Sequence, residues 1–352
     1  MEGTLPASWY TSPDIYELER RAIYSKHWQL LTHKIRVPEV GSFVRYEAAG
    51  FQFFIIKDRK GEVNAFHNVC RHRAYPVIEK PSGKASIIAC RYHGWSYGLS
   101  GNLAKAPAFN DASGFDKGQY SLFKIHTRVD KRGFIWINFD ASETPVPWEE
   151  LNESVDVEPR LDKYDLENGY KYDHTWSLKG NYNWKTSHPG IAAVTDLDNY
   201  AEGQFGQYGD SALTLVFPNV GVSISNPYFY IMRIIPPGPR SVVQEYEVFR
   251  NVNISDQEFE DADKFFKEFE AEDKDLCNNV GVNLASNTYV QGPLHPGKEN
   301  GLKKHDAVEK ETGRQYWPAR WNQMLEGSVD EDELFCNNIC GAGGENHSGL
   351  GW

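Results

Sequence analysis

Two short boxes of this 352-residue sequence pair a thiol with an imidazole: Cys70–Arg71–His72 and, after seventeen residues, Cys90–Arg91–Tyr92–His93. Two such loops can supply two sulfurs to one iron and two nitrogens to another, the ligand set of a Rieske [2Fe–2S] cluster. Neutral imidazole in place of thiolate lowers the negative charge at the cluster and raises its potential above that of an all-cysteine centre. The chemistry implied is one-electron transfer, with a flavin- or ferredoxin-type donor upstream. Structural zinc is the competing use of two cysteines and two histidines, but it spaces its cysteines roughly two to four residues apart. Here each pair mixes Cys with His, so the cluster is the better reading. Gly94 and Gly98 suit tight turns around the second loop, and Trp95 is placed to shield the cluster from water.

Loops of this kind need a rigid support. From Gly41 to about Phe139, short β-like runs such as Phe51–Ile56, Ala85–Ala89 and Gly133–Phe139 are broken by Gly, Asn and Asp, which predicts a small all-β domain. Before it, a helix is predicted over Pro13–Trp28, with Ile15, Leu18, Ala22 and Trp28 on its apolar face. The Pro-rich Ser142–Trp148 reads as a linker. Strands are then predicted in up-and-down order at Leu213–Phe217, Gly221–Ser225, Tyr228–Ile235 and Val242–Phe249. A long helix follows, opening at Ser255 with Glu258 completing a capping box. A sheet closed by a long helix makes the class α+β. The expected division is a helical segment (1–40), a cluster domain (41–140) and a second domain (141–352), whose acidic, then Gly-rich last thirty residues should have little fixed structure.

A net charge of −12 with no basic block argues against nucleic acid and anionic lipid as partners, which leaves a small molecule or another protein. No apolar run approaches a membrane span. The N-terminal MEGTLPASWYTSPDIYELERR has neither the apolar core of a signal peptide nor the Arg-rich, acid-poor texture of a transit peptide, so a cytoplasmic protein is expected. Five cysteines at irregular spacing make a poor disulfide framework.

The boxes CRHRA (70–74) and CRYHGWSYGLSGNL (90–103) resemble those of Rieske non-haem iron oxygenases, and the similarity runs from the N-terminal helix to at least Pro296. Within that superfamily, NYNWK (181–185), EDKDLC (272–277) and GPLHP (292–296) resemble the choline and carnitine monooxygenase branch. The resemblance implies a Rieske domain joined to a helix-grip catalytic domain, and a homotrimer. It also implies electrons from a separate reductase and O2 activation at a mononuclear Fe(II).

Such an iron takes two histidines and one carboxylate, with positions left open for O2. In the long helix apolar residues recur at Phe259, Ala262, Phe266, Phe269, Leu276 and Val280, and Asp273 fills the gap in that stripe. A carboxylate on a buried helix face needs a cation or must neutralise, so the residues alone leave a partner Arg or Lys open beside a metal. The resemblance makes Asp273, in E-D-x-x-L-C, the iron ligand. Glu272 and Asp275 fall off the stripe and are expected in solvent, with Cys277 a small buried hydrophobe.

In the family, N-W-K opens a helix carrying an acidic residue, a Tyr-His pair and then a second His, usually followed by Pro. Here Asn183–Trp184–Lys185–Thr186 runs directly into Ser187–His188–Pro189. His188 matches the second histidine. The segment for the first is absent, as is the acidic residue expected to link cluster and iron; about three helical turns are missing. His174, in the extended DHTWSL, and His295, after a Gly-Pro turn, read as structural rather than as substitutes. His126, His305 and His347 have no motif around them.

The expectation is an oxygenase component that hydroxylates a small substrate or removes an N-methyl group by hydroxylation. A quaternary ammonium such as choline is the branch-level substrate. Electrons would come from NAD(P)H through a flavin/iron–sulfur reductase or a ferredoxin. A cluster-only electron carrier is the competing expectation, because of the missing segment.

Overall fold

The computed structural model describes residues 5–109, 112–149, 161–187, 212–216, 218–290 and 292. Its first part holds ten strands: β1 (Gln29–His33), β2 (Ser42–Ala48), β3 (Phe51–Lys57), β4 (Val63–His67), β5 (Ser82–Lys84), β6 (Ile88–Ala89), β7 (Ser96–Tyr97), β8 (Leu103–Lys105), β9 (Lys124–Val129) and β10 (Phe134–Asn138). Seven form one antiparallel sheet in the order β1-β10-β9-β4-β3-β2-β5, and β6-β7-β8 form a smaller one. Side chains alternate across β3 with the period of two that a strand imposes. Phe54 and Ile56 join the core beneath the cysteine loops, while Phe53 and Ile55 join a second core on the other face. Of the run expected at Ala85–Ala89, only Ile88–Ala89 is strand, as β6.

A second sheet follows, of β11 (Tyr170–Gly180), β12 (Ala212–Val216), β13 (Val220–Ile224), β14 (Tyr228–Gly238) and β15 (Ser241–Asn251), in the order β11-β15-β14-β13-β12. The last four run up and down as expected; β11 adds an edge beside β15. Both faces of this sheet are covered. Tyr228, Tyr230, Met232, Tyr246 and Val248 face a long helix, whereas Phe229, Ile231 and Phe249 pack with Leu30, Phe134 and Trp136 of the seven-stranded sheet. One apolar layer therefore joins the two sheets.

The helices are α1 (Ser8–Thr11), α2 (Pro13–Glu19) and α3 (Asp256–Leu284). In α3 the Ser255/Glu258 capping box forms as expected. The predicted helix over Pro13–Trp28 is shorter. After Glu19 the chain makes a π-helical turn, Arg20–Tyr24, closed by Ser25 Oγ donating to the Arg20 carbonyl at 2.9 Å. Trp28 then leaves the helix and packs between the two sheets. Ser142–Trp148 is not a loose linker, because Trp28 Nε1 donates to the Val146 carbonyl at 2.7 Å and Trp148 packs edge-on to Trp136. The acidic and Gly-rich tail lies outside the described residues. Among the described residues no helix is long and apolar enough to cross a membrane.

Candidate redox and metal centres

The two cysteine loops are closed in the same way. Cys70 N–H donates to the Tyr75 carbonyl and Ala74 N–H to the Cys70 carbonyl, at 2.8 and 2.9 Å; Cys90 with Trp95, and Gly94 with Cys90, repeat the pattern at 2.8 and 3.0 Å. Each closure requires a left-handed residue four positions after the cysteine, and Ala74 (φ 55°) and Gly94 (φ 73°) supply it. Gly98 acts differently, since a side chain there would collide with Asn102.

The loops bring thiol to thiol and imidazole to imidazole. Cys70 and Cys90 are buried and close enough for their sulfurs to raise the Cys90 thiol, after burial itself. The His72 and His93 rings lie 4.6 Å apart. Trp95, buried as expected, stacks on His72 at 5.1 Å and 7°. Burial, and then the neighbouring His93, push His72 below an ordinary imidazole, towards the neutral form that binds metal. His72 Nδ1 is buried with no hydrogen-bond partner. A buried, unpartnered ring nitrogen beside a second imidazole and a thiol pair fits a cluster whose irons take two sulfurs and two nitrogens. His93 is exposed, so the imidazole side faces outward while the sulfur side faces the core.

Tyr97, which the sequence reading missed, belongs to this site. Its buried hydroxyl accepts from Arg71 N–H at 3.0 Å and lies 3.3 Å from Cys70 Sγ. Where Cys70 serves as a deprotonated cluster ligand it has no proton to give, so the Tyr97 hydroxyl is the donor to its sulfur. Hydrogen bonds to cluster sulfurs are one of the levers on potential. The signal was the second box itself, where Tyr97 follows Trp95 by two and shares its strand face.

Asp273 is half-buried on α3, and burial followed by the adjacent Glu272 raises its carboxyl. The buried stripe is not the one expected. Phe259, Ala262, Phe266, Glu270, Gly281 and Leu284 are buried, whereas Leu276 and Val280 are 65% and 47% exposed. The stripe turns by steps of three and four through Glu270, Asp273 and Cys277, so Asp273 stays on it while its supposed apolar neighbours leave. Glu272 and Asp275 are exposed, as expected. Cys277 is half-buried rather than buried, and its thiol, pushed up to about 11 by burial, then Asp273 and Glu270, points to the Thr186 carbonyl at 3.8 Å. Glu270, also missed, is a second buried carboxylate. Burial pushes it up to about 8, and Tyr246 O–H donates to it.

Among the described residues Asp273 makes no hydrogen bond or ion pair. One helical turn further on, Cys277 meets the 3₁₀ turn Trp184–Ser187 at the Thr186 carbonyl, so Asp273 shares the face of α3 that packs towards that turn. Gly281 permits this approach, because a side chain there would come within 2.8 Å of the Asn181 carbonyl. His188, the next residue, lies outside the described ones, as do His295, His305 and His347. His174 does not reach Asp273. It sits between Asp173 at 2.8 Å and Asp263 at 3.5 Å, and Asp263 is about 15 Å from Asp273 along the helix. Its pKa is raised, chiefly by Asp263, so it is a paired structural histidine. His126 bonds the Ser142 carbonyl at 2.8 Å. No group of three His, Cys, Asp or Glu among the described residues converges on a single ion.

Residues 27–117 match the Rieske [2Fe-2S] domain, and residues 190–312 match the catalytic domain of the ring hydroxylating alpha subunit. An iron–sulfur domain joined to a non-haem iron oxygenase domain defines the class, and the chain belongs to the Rieske non-haem iron oxygenases. Its relatives place it more narrowly. It is 26% identical to the chloroplastic choline monooxygenase of Arabidopsis thaliana over 82% of this chain and 78% of that protein. It is 26% identical to the carnitine monooxygenase oxygenase subunit of Acinetobacter pittii (strain PHEA-2) over 86% of this chain and 91% of that protein. In fold it is similar to the quaternary ammonium Rieske monooxygenase CntA, solved with L-carnitine, with a TM-score of 0.74 and 21% identity over 89% of this chain and 96% of that one. The two matched domains imply a [2Fe–2S] cluster and a mononuclear iron, the cofactors of the Rieske non-haem iron monooxygenase family, in which electrons from an external reductase are typical. Nothing in these comparisons supports the carrier reading. The catalytic-domain match begins just beyond the Thr186–Ser187 junction.

Proposed function

We propose that this chain hydroxylates, or N-demethylates by hydroxylation, a small quaternary ammonium compound of the choline type. The names of its relatives support that substrate class. The observation that carries the site is Asp273: a half-buried carboxylate, without an ion-pair partner among the described residues, one helical turn from Cys277, whose thiol meets the turn that runs into His188. In this reading Cys70, His72, Cys90 and His93 hold the cluster, and His188 and Asp273 hold the mononuclear iron. The division into 1–40, 41–140 and 141–352 follows those roles. When bound, the cluster supplies single electrons and the iron activates O2.

The protein's own groups do the rest. Tyr97 O–H draws negative charge from the Cys70 sulfur, and Trp95 keeps water from the His72 side. The exposed His93 edge is the route for electrons. Glu270, pushed up to about 8 chiefly by burial, stays largely protonated at neutral pH and takes a hydrogen bond from Tyr246. The proposed partners are an NAD(P)H-dependent flavin/iron–sulfur reductase or a ferredoxin, and two further copies of the chain in a homotrimer. The proposed compartment is the cytoplasm, where thiols stay reduced.

Two measurements test this. The chain as it stands should carry a full cluster but little mononuclear iron, because two protein ligands hold Fe(II) weakly. Restoring a helical segment with an acidic residue and a His before Ser187 should raise iron from about two to about three per chain. With a reductase and NAD(P)H, the restored chain should then consume O2 in response to choline or carnitine but not to an uncharged isostere. Equal uptake with the isostere would refute the substrate class. Stoichiometric third iron in the chain as it stands would refute the two-ligand account.

A further inference from the structure

The turn leading to His188 is tied to the N-terminal segment through one buried carboxylate. Glu19, at the end of α2 and 0% exposed, accepts from Trp184 Nε1 at 2.7 Å and from Lys185 Nζ at 2.5 Å. The Lys185 ammonium also lies 5.4 Å from the Tyr10 ring, and Trp184 packs edge-on to Tyr24. Two of the three N-W-K side chains thus point away from Asp273, into the N-terminal helices. The third locks the turn itself: Asn183 Oδ1 accepts from Lys185 N–H at 3.0 Å, and its amide donates to the Pro239 carbonyl at 2.7 Å. The opposite side of the turn meets α3 at Cys277 and Gly281.

We infer that Glu19 is a positioning residue for the iron site: through Trp184 and Lys185 it holds the 184–187 turn against the face of α3 that carries Cys277 and, one helical turn before it, Asp273. This rests on the reading of Asp273 and His188 as ligands. Lys185 cannot do the same alone, since a buried ammonium needs its counter-ion to stay where it is. Nothing in Glu19 touches substrate or metal, and its whole effect passes through the turn.

Two readouts separate this role from general stability. The first is alkylation of Cys277 by iodoacetamide, read from the Cys277 peptide, since that thiol sits against the Thr186 carbonyl. The second is Co(II) binding, counted only where Asp273→Ala abolishes it. Glu19→Gln keeps an acceptor for Trp184 but leaves Lys185 without its counter-charge. It should speed Cys277 alkylation and weaken Asp273-dependent Co(II) binding, each about tenfold, with cluster absorbance per chain unchanged. The double variant Glu19→Gln/Lys185→Met, which has no buried charge, should recover both. If Glu19→Gln loses its cluster, Trp184→Phe, which removes one hydrogen bond and no charge, must still speed alkylation. Alkylation at the wild-type rate in these variants overturns the inference. Faster alkylation in Glu19→Gln, with wild-type Co(II) binding indifferent to Asp273, overturns instead the iron reading and with it the catalytic meaning of the clasp.

Discussion

Glu247→Gln should cost about 3–5 kcal/mol, the range for breaking a buried ion pair from one side. Glu247 lies on β15 and is 1% exposed. It accepts from Thr32 Oγ1, from Tyr46 O–H at 2.8 Å and from Arg36 Nε at 3.2 Å, with an Arg233 guanidinium nitrogen at 3.4 Å. Gln preserves the shape and removes the charge facing two guanidinium groups whose side chains are 11% and 6% exposed, so solvent screens little of the loss. Two charge-assisted bonds at about 1.5–3 kcal/mol each give the same range. Thr32 and Tyr46 belong to the seven-stranded sheet, so the loss falls on the junction between the sheets. Burial alone would raise the Glu247 carboxyl, but Arg233, Arg36 and the two hydroxyls hold it below its ordinary value of 4.5. Its contribution is therefore complete above that value and disappears as pH falls through the folded pKa, so acidification should hurt the variant less than the wild type. Urea unfolding, followed by tryptophan fluorescence and cluster absorbance, measures the cost. A Glu247→Gln cost below about 1 kcal/mol would refute the reasoning.

The remaining expectations concern the metal centres. His72→Ala and His93→Ala should each abolish the low average g-value of a mixed nitrogen–sulfur cluster after reduction, checked by electron paramagnetic resonance; a wild-type spectrum typical of an all-thiolate cluster would sink the ligand assignment. Asp273→Ala should leave cluster colour intact while removing whatever mononuclear iron is bound, measured by iron analysis; unfolding with loss of the cluster would count against a ligand role. Ala74→Gly relieves a left-handed alanine at φ 55° and should stabilise the first cluster loop by about 1 kcal/mol, read as a higher temperature for loss of cluster absorbance.

The parts of this protein that are legible in its sequence are those set by local spacing. The two boxes need only a thiol and an imidazole within a few residues, and the Ser255 cap needs only Glu258 three residues on. The strands β12 to β15 announce themselves by apolar runs between Pro- and Asn-rich turns. What depends on distant partners was hidden. Tyr97 reads as one more aromatic until Arg71 N–H claims its acceptor side. The early end of the N-terminal helix is set by where Trp28 must pack, between two sheets the local sequence does not specify. Leu276 and Val280 were placed on the buried stripe of α3 because they are apolar, yet the helical phase that buries Phe259, Ala262 and Phe266 continues through Glu270 and Gly281 instead. Following the phase rather than the polarity would have found Glu270.

That correction strengthens the case for Asp273 rather than weakening it. A carboxylate taken out of water must be compensated, and three buried carboxylates, Glu19 of the N-terminal segment and two of the second domain, show how this chain does it. Glu19 is met by Lys185 and Trp184. Glu247 is met by Arg36, Arg233 and two hydroxyls. Glu270 keeps its proton, with its pKa pushed up to about 8, and takes a bond from Tyr246. Asp273, half-buried on the stripe it shares with Glu270, has no side-chain hydrogen-bond or ion-pair partner among the described residues. That contrast supports the proposal that Asp273 meets a metal cation rather than a side chain. We propose that His188, the residue after the neighbouring turn, joins Asp273 as a ligand; a histidine and a carboxylate are two-thirds of the ligand set an iron oxygenase requires.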